Sequence, residues 1–421
     1  MKSKLFLMMV VAMGAVLLWL NAAAQPAIVA TIPVGNNPSG VAVDPSANRV
    51  YVANGGSNNV SVIDGATNSV IATVPVGTGP DGLDAAATAG RVYVANLGTN
   101  DVSAIDTTTN TVMATVPVGA QPRGVAINSG AARIYVTNSG SDDVSAIDGN
   151  INAVVATIPV GDAPVGVAVN PATNRVYVAN AVDGTVSVID GATDDVVETV
   201  PVGEQPEGVA VNRALNRVYV ANNLDDTLSV IDGATNGVVE TVSVGLGPQG
   251  VAASPANNRV YVANEYSDTV SVIDGVTNTV VDIVDVGLGP RGVDVEHVTY
   301  RVYVTNGGDG TVSVMEDLPE APEPEPEPAP GDTENVPLQG GVCNPVATTY
   351  PDNTPIGTIA DAVAPPGMLE SLWEFEGGIW QGWSAAFPEA SDLTEKDFLD
   401  VVFVCVGGSG PGAATFTRPV P

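Results

Sequence analysis

The hexapeptide Arg49-Val-Tyr-Val-Ala-Asn54 returns, with conservative changes, at Arg91, Arg133, Arg175, Arg217, Arg259 and Arg301, each time 42 residues further on. A period of that length, held seven times, limits the fold more than any other property of the chain. Each copy must be one supersecondary unit that buries its apolar faces against its neighbours. Two further landmarks keep the same step. A Ser-Val/Ala-Ile-Asp motif ends at Asp64, Asp106, Asp148, Asp190, Asp232 and Asp274, with Glu316 in the seventh copy. A Val-Gly pair stands at 34–35 and recurs to 286–287.

Each unit holds four short β-rich runs, in the first full unit 40–43, 50–53, 60–63 and 70–76, here called a, b, c and d. Gly, Pro, Asn and Asp separate them, as strand boundaries require. Runs b and c are apolar on consecutive residues, which predicts strands covered on both faces. Run d carries Pro33, Pro75, Pro117, Pro159 and Pro201. Proline cannot donate to a ladder, so d belongs on an outer edge and a nearest an axis. Four strands per unit of this length predict the blades of a β-propeller. The array opens with a lone d run (28–34) and ends with a, b and c (293–315) but no d. Placing the first d beside the last c predicts an all-β, seven-bladed propeller of four-stranded blades with a one-plus-three ring closure and no open edge.

Tyr-Val-Ala-Asn, and its variant Tyr-Val-Thr-Asn at 135–138 and 303–306, resemble the YVTN-type β-propeller repeat. The resemblance spans residues 28–316 and implies a propeller at or outside the cell surface. It implies no single activity: similar propellers include surface and adhesion proteins, lactonases and subunits of quinoprotein dehydrogenases.

The flanks read differently. Residues 1–24 have the order of a secretory signal peptide: Lys2 and Lys4, an apolar run from Leu5 to Leu20, then Ala22-Ala23-Ala24. The propeller is expected over 25–316 and a Pro/Glu-rich linker over 317–337. Alternating Pro and Glu at 319–330 favours an extended spacer of about 37 Å at ~3.1 Å per residue. Residues 338–421 are expected to form a small β-rich domain, with a hairpin at 372–383 turning at Gly377-Gly378 and a strand at 400–406. Cys343 and Cys405, the only cysteines, are expected to form a disulfide that staples it. Closing a loop of about 60 residues would stabilise the domain by ~4 kcal/mol on the chain-entropy model. Trp373, Trp380 and Trp383 would form either its core or an aromatic platform for glycans.

Charge and composition narrow the function. The chain carries 47 acidic against 14 basic residues, a formal net charge of −33. Nucleic-acid binding needs clustered Lys and Arg, so no nucleic-acid partner is expected. The single histidine, His297, excludes any multi-histidine metal site, and reads as a satisfied surface residue. No metal-ligand spacing, haem motif or ordered calcium loop is present, so no cofactor is expected, although the acidic loops leave calcium possible. The repeated Asn and Asp after strands b and c are expected to bond the backbone of the turns they open. The Arg before strand b is expected to pair with groups on a neighbouring blade.

Variation is informative where the repeat is otherwise constant. The d–a loop reads V-G-x-x-P-x-G, and its variable residue before the last Gly is Ser39, Asp81, Arg123, Val165, Glu207, Gln249 and Arg291. In a propeller this position borders the axial opening, on the face shared with the b–c loops. Those loops add Asp101, Asp142, Asp143, Asp183, Asp225, Asp226, Glu265, Asp268 and Asp309. The seven positions are candidates for partner binding, because loops on a rigid scaffold carry function. The expectation is an exported, non-enzymatic binding or scaffold protein presenting this face to a cell-envelope, glycan or extracellular protein partner. The alternatives are a propeller enzyme (a lactonase-like hydrolase or quinoprotein-like oxidoreductase subunit) or a structural surface-array component. After the signal peptide no transmembrane span is expected, and the protein is expected to be secreted, periplasmic or on the cell surface.

Overall fold

The computed structural model describes residues 25–318 throughout, and beyond them the backbone of short strands between Thr333 and Pro419. The chain divides into two compact units, between Ala321 and Pro322.

The first unit is a ring of seven four-stranded antiparallel sheets, each ordered a-b-c-d. In blade 1 the strands are Pro38–Asp44, Arg49–Asn54, Asn59–Asp64 and Ser69–Pro75. Strand a of blades 2 to 6 starts at Pro80, Pro122, Pro164, Pro206 and Pro248. Blade 7 has a, b and c at Pro290–Glu296, Arg301–Asn306 and Thr311–Glu316. Its d strand is Ala27–Pro33 from the other end of the repeats, paired antiparallel with Thr311–Glu316. The expected closure is therefore the observed one.

Burial follows the strand order. Every b strand is buried from its second residue onward, and every c strand at its four middle residues. The d strands bury one residue each, Ile32 in blade 7 and Val74 in blade 1. The core is thus a set of seams between blades. One joins Tyr51, Val60 and Val62 of blade 1 to Leu83, Val92 and Val94 of blade 2. The closing seam joins Ile32, Tyr303 and Val312 of blade 7 to Val41, Val50 and Val52 of blade 1.

Polar locks reinforce the seams. Arg49 donates to the Thr107 carbonyl, Arg91 to that of Gly149, Arg217 to Gly275 at 2.6 Å and Arg301 to Gly65 at 2.7 Å. Arg133 meets Asp194 at 3.4 Å. Each of these five partners lies in the c–d turn of the next blade, as expected; Arg175 and Arg259 depart from the expectation and meet Asp190 and Asp274 at the end of strand c in their own blades, at 2.8 and 3.6 Å. Tyr261 donates to Asp317 at 2.6 Å across the blade 6–7 seam.

The Asp64 series behaves as expected: Asp64 accepts from Ala66 and Thr67 of the turn it opens. The Asn54 series does not. Asn54 is fully buried; it accepts from Gly35 of the d–a loop at 3.0 Å and donates to Asn59 and Ser61 at 2.8 and 2.9 Å. Asn54, like Asn222, clamps the neighbouring loop rather than its own turn. A Cβ on Gly35 would lie 2.6 Å from the Asn54 Cγ, which explains the constant glycine of the Val-Gly pair.

In the second unit, Leu369–Glu376 and Ile379–Ser384 form the expected hairpin, with Glu376 opposite Ile379. Cys343–Val346 pairs with Val402–Val406, placing Cys343 opposite Cys405. Thr333–Pro337, expected in the linker, pairs with Thr415–Pro419. The disulfide and the platform of Trp373, Trp380 and Trp383 concern side chains outside the described residues, as do the signal peptide and the Pro/Glu run. Among the described residues no helix is long and apolar enough to cross a membrane.

Candidate functional site

Strand b ends where the b–c loop meets the d–a loop, and the two are bonded backbone to backbone: Gly55 donates to Asn37 and Gly56 to Asn36 in blade 1. This pairing recurs around the ring and makes one continuous loop face. At its centre, each last glycine of the d–a motif packs against the carbonyl of the residue at the variable position of the next blade. Gly40 meets Asp81, Gly82 meets Arg123, and the series closes with Gly292 against Ser39. No side chain fits there, so the ring is drawn tight. The variable residue just before each glycine is thereby held at the rim of the axis.

All seven sequence-derived positions line a single axial cavity of about 470 Å³, joined by Glu265 and Tyr266 from the b–c loop of blade 6. Their chemistry is mixed. Ser39 is buried and donates to the Asp81 carbonyl at 3.0 Å. The Arg123 guanidinium lies 3.8 Å from the Asp81 carboxylate. Arg291 donates to Glu265 at 3.1 Å and to Asn37 at 2.9 Å. Gln249 donates to Glu265, and Gln205 to Glu207 at 3.0 Å. Val165 supplies the apolar member. Burial raises the carboxyl of Asp81 above the ordinary range, against the pull of Arg123 and the Ser39 hydroxyl. Burial raises Glu207 too, with the charges of Asp81 and Glu265 adding to it. The mouth therefore holds paired, half-desolvated charges of both signs, suited to grasping polar groups in fixed orientation.

Sequence reasoning missed several residues. Tyr266 was legible only as an aromatic at a loop position where blade 1 has Gly56. Asp84 and Asp294 replace the alanine of strand a found at Ala42 and Ala126. Each accepts an N–H from strand a of the next blade, Ile127 at 2.8 Å and Val43 at 2.7 Å. The edge of strand a not paired with b faces the axis, so these carboxylates line the channel below the mouth. Burial and then the charge of Asp294 push Asp84 up to about 7, and burial pushes Asp294 up to about 6. His297, expected to be a satisfied surface residue, is half-buried with its Nδ1 unpartnered by protein, and burial and Arg213 depress its basicity. It lies in the a–b turn, at the end of the strands opposite the mouth. Among the described residues no three acidic, His or Cys side chains converge to hold a metal ion.

The model of the YNCE-like beta-propeller family matches residues 203–306. No curated protein matches the chain by sequence. Among solved structures, hydrazine synthase of Kuenenia stuttgartiensis aligns with a TM-score of 0.62 at 20% identity, over 66% of this chain and 95% of that one. At that identity the likeness is one of fold. Seven copies of one four-stranded unit, closed into a ring by the first and last strands and matched in part by a propeller family, make this chain a β-propeller repeat protein.

Proposed function

We propose that the protein is an exported, non-enzymatic binding protein that recognises a cell-envelope or extracellular partner with its loop face. The observation that carries this is convergence. Seven positions that vary within an otherwise constant loop motif all open on one cavity, and they carry side chains of both charges, an amide, a hydroxyl and a valine. A purely structural role would favour one residue type at a position repeated seven times. The apolar segment at residues 5–20 behind two lysines supports export, and the small C-terminal unit would serve as an accessory module.

The test is capture of partners from the native cell envelope by the purified protein and by its Arg291→Glu variant, followed by identification of what is retained. Arg291 lies in the mouth and touches Glu265 and Asn37 alone among charged and amide partners. Loss of a captured species with the variant, its unfolding midpoint unchanged, supports the reading. Identical capture by both proteins contradicts it.

A further inference from the structure

The repeats act as internal controls for one another. The second residue of the b–c loop is Gly56, Gly98, Gly140 and Gly308 in blades 1, 2, 3 and 7, but Val182, Leu224 and Tyr266 in blades 4, 5 and 6. These three are 71, 63 and 69% exposed, so the fold gains nothing by burying them. The third residue is Ser57, Thr99, Ser141, Asp183, Asp225, Ser267 and Asp309. Its side chain accepts the N–H of the adjoining d–a loop. Ser57 and Ser141 do so at 2.8 and 3.0 Å, Asp183 and Asp225 at 2.8 and 2.7 Å. A hydroxyl fulfils the structural task as well as a carboxylate. The charges at 183 and 225 are therefore surplus to folding.

In blades 4 and 5 the apolar and acidic departures occur together, as Val182-Asp183 and Leu224-Asp225. They line one groove of about 950 Å³, crossing the loop face from blade 3 to blade 5. The groove meets the axial mouth at Arg123, Val165 and Glu207, which border both. Its carboxylates are Asp183, Glu204, Glu207 and Asp225, against the single cation Arg123. A volume at the upper limit of ordinary small-ligand pockets suits a longer occupant.

We infer that this groove binds an extended polypeptide segment in which lysine or arginine side chains alternate with apolar ones. Each of two successive loops sets an apolar and an acidic residue side by side in the groove, so an occupant carrying both apolar and cationic side chains is complemented at two points. Charge complementarity sets the sign: a protein of net charge −33 with an acidic groove repels anionic segments and steers cationic ones in. The chain's own Pro/Glu run at 319–330 carries no cation and is excluded as the occupant. The inference rests on the reading of the loop face as the recognition surface.

The probe is a fluorescein-labelled octapeptide of alternating lysine and leucine, with the same peptide carrying glutamate for lysine as its control. Binding to the purified protein is followed by fluorescence anisotropy at low and physiological salt. Two variants borrow residues from sister blades and so preserve the fold: Asp183→Ser with Asp225→Ser, and Val182→Gly with Leu224→Gly. The lysine peptide binds and the glutamate peptide does not; each double variant weakens binding roughly tenfold, and added salt weakens it further. Thermal unfolding of both variants stays at the wild-type midpoint. Absence of peptide binding, equal binding of the glutamate peptide, or unchanged affinity in both variants overturns the inference. Capture from the envelope that still falls with Arg291→Glu, which lies outside the groove, then leaves the loop-face reading standing; if that loss also fails to appear, both fall together.

Discussion

Replacing Asn54 by alanine tests how the loop face is held in place. The side chain is fully buried and makes three hydrogen bonds, to Gly35, Asn59 and Ser61 at 3.0, 2.8 and 2.9 Å. Each is worth about 1 kcal/mol net, and the orphaned Gly35 N–H adds ~1 kcal/mol or more of uncompensated desolvation. The expected loss is therefore about 4 kcal/mol. For a propeller of about 290 residues, at ~2.1 cal/mol/K per residue, the unfolding entropy is near 0.6 kcal/mol/K, so the midpoint should fall by about 7 °C. Urea unfolding followed by far-ultraviolet circular dichroism and by tyrosine fluorescence gives the number, and coincidence of the two curves shows that one transition is being read. A loss below about 1 kcal/mol would refute the reasoning, because it would mean that the d–a loop keeps its place without the clamp. The same substitution should loosen the mouth locally, since Gly35 lies four residues before Ser39.

The remaining predictions concern the seams and the channel. Tyr261→Phe strips Asp317 of its 2.6 Å partner and should cost about 2 kcal/mol, whereas Tyr135→Phe, whose hydroxyl meets no partner, should cost under about 0.5 kcal/mol by the same denaturation assay. Ile32→Ala should cost about 3 kcal/mol and accelerate proteolysis of the first strand, because Ile32 is the buried residue of the d strand that closes the ring. Asp84 and Asp294 have folded-state values raised to about 7 and 6, so their contribution to stability is complete below the ordinary carboxylate range and is lost as pH rises through those values. The unfolding midpoint of the wild type should accordingly decline between pH 4.5 and 7.5 relative to that of the Asp84→Asn, Asp294→Asn variant; parallel lines would contradict the assignment. The turn aspartates such as Asp64 and Asp106 are held below the ordinary range by backbone N–H groups, and their contribution is lost only at lower pH, outside that window.

The ring was legible in the sequence because every one of its determinants is repeated. Consecutive apolar residues in b and c, proline in d, and the orphan d run at the start of the array each recur or resolve at a fixed spacing. The seven mouth positions were legible for the opposite reason, as the variable residues in a constant loop. What escaped was anything set by three-dimensional neighbours rather than by period. Asn54 has the composition of a turn opener, yet its side chain faces a loop 19 residues away, and no local pattern distinguishes the two. Asp84 and Asp294 look like ordinary drift from alanine until the next blade's free N–H groups are seen beside them. The groove needed the same step: Val182-Asp183 and Leu224-Asp225 lie one repeat apart in sequence but share one wall in space.

Recognition is proposed to occur on the loop face bearing the mouth and the groove. Its most direct test is photocrosslinking from two positions in blade 6, at opposite ends of Arg259–Asn264. Tyr266 stands in the b–c loop, 69% exposed, and Ala256 in the exposed a–b turn on the other side. Each is replaced in turn by a benzophenone amino acid and the protein is irradiated on its native cell envelope. Recognition on the loop face gives a covalent adduct with a single partner from position 266 and none from position 256. Adducts from position 256 alone would place recognition on the opposite face and contradict it.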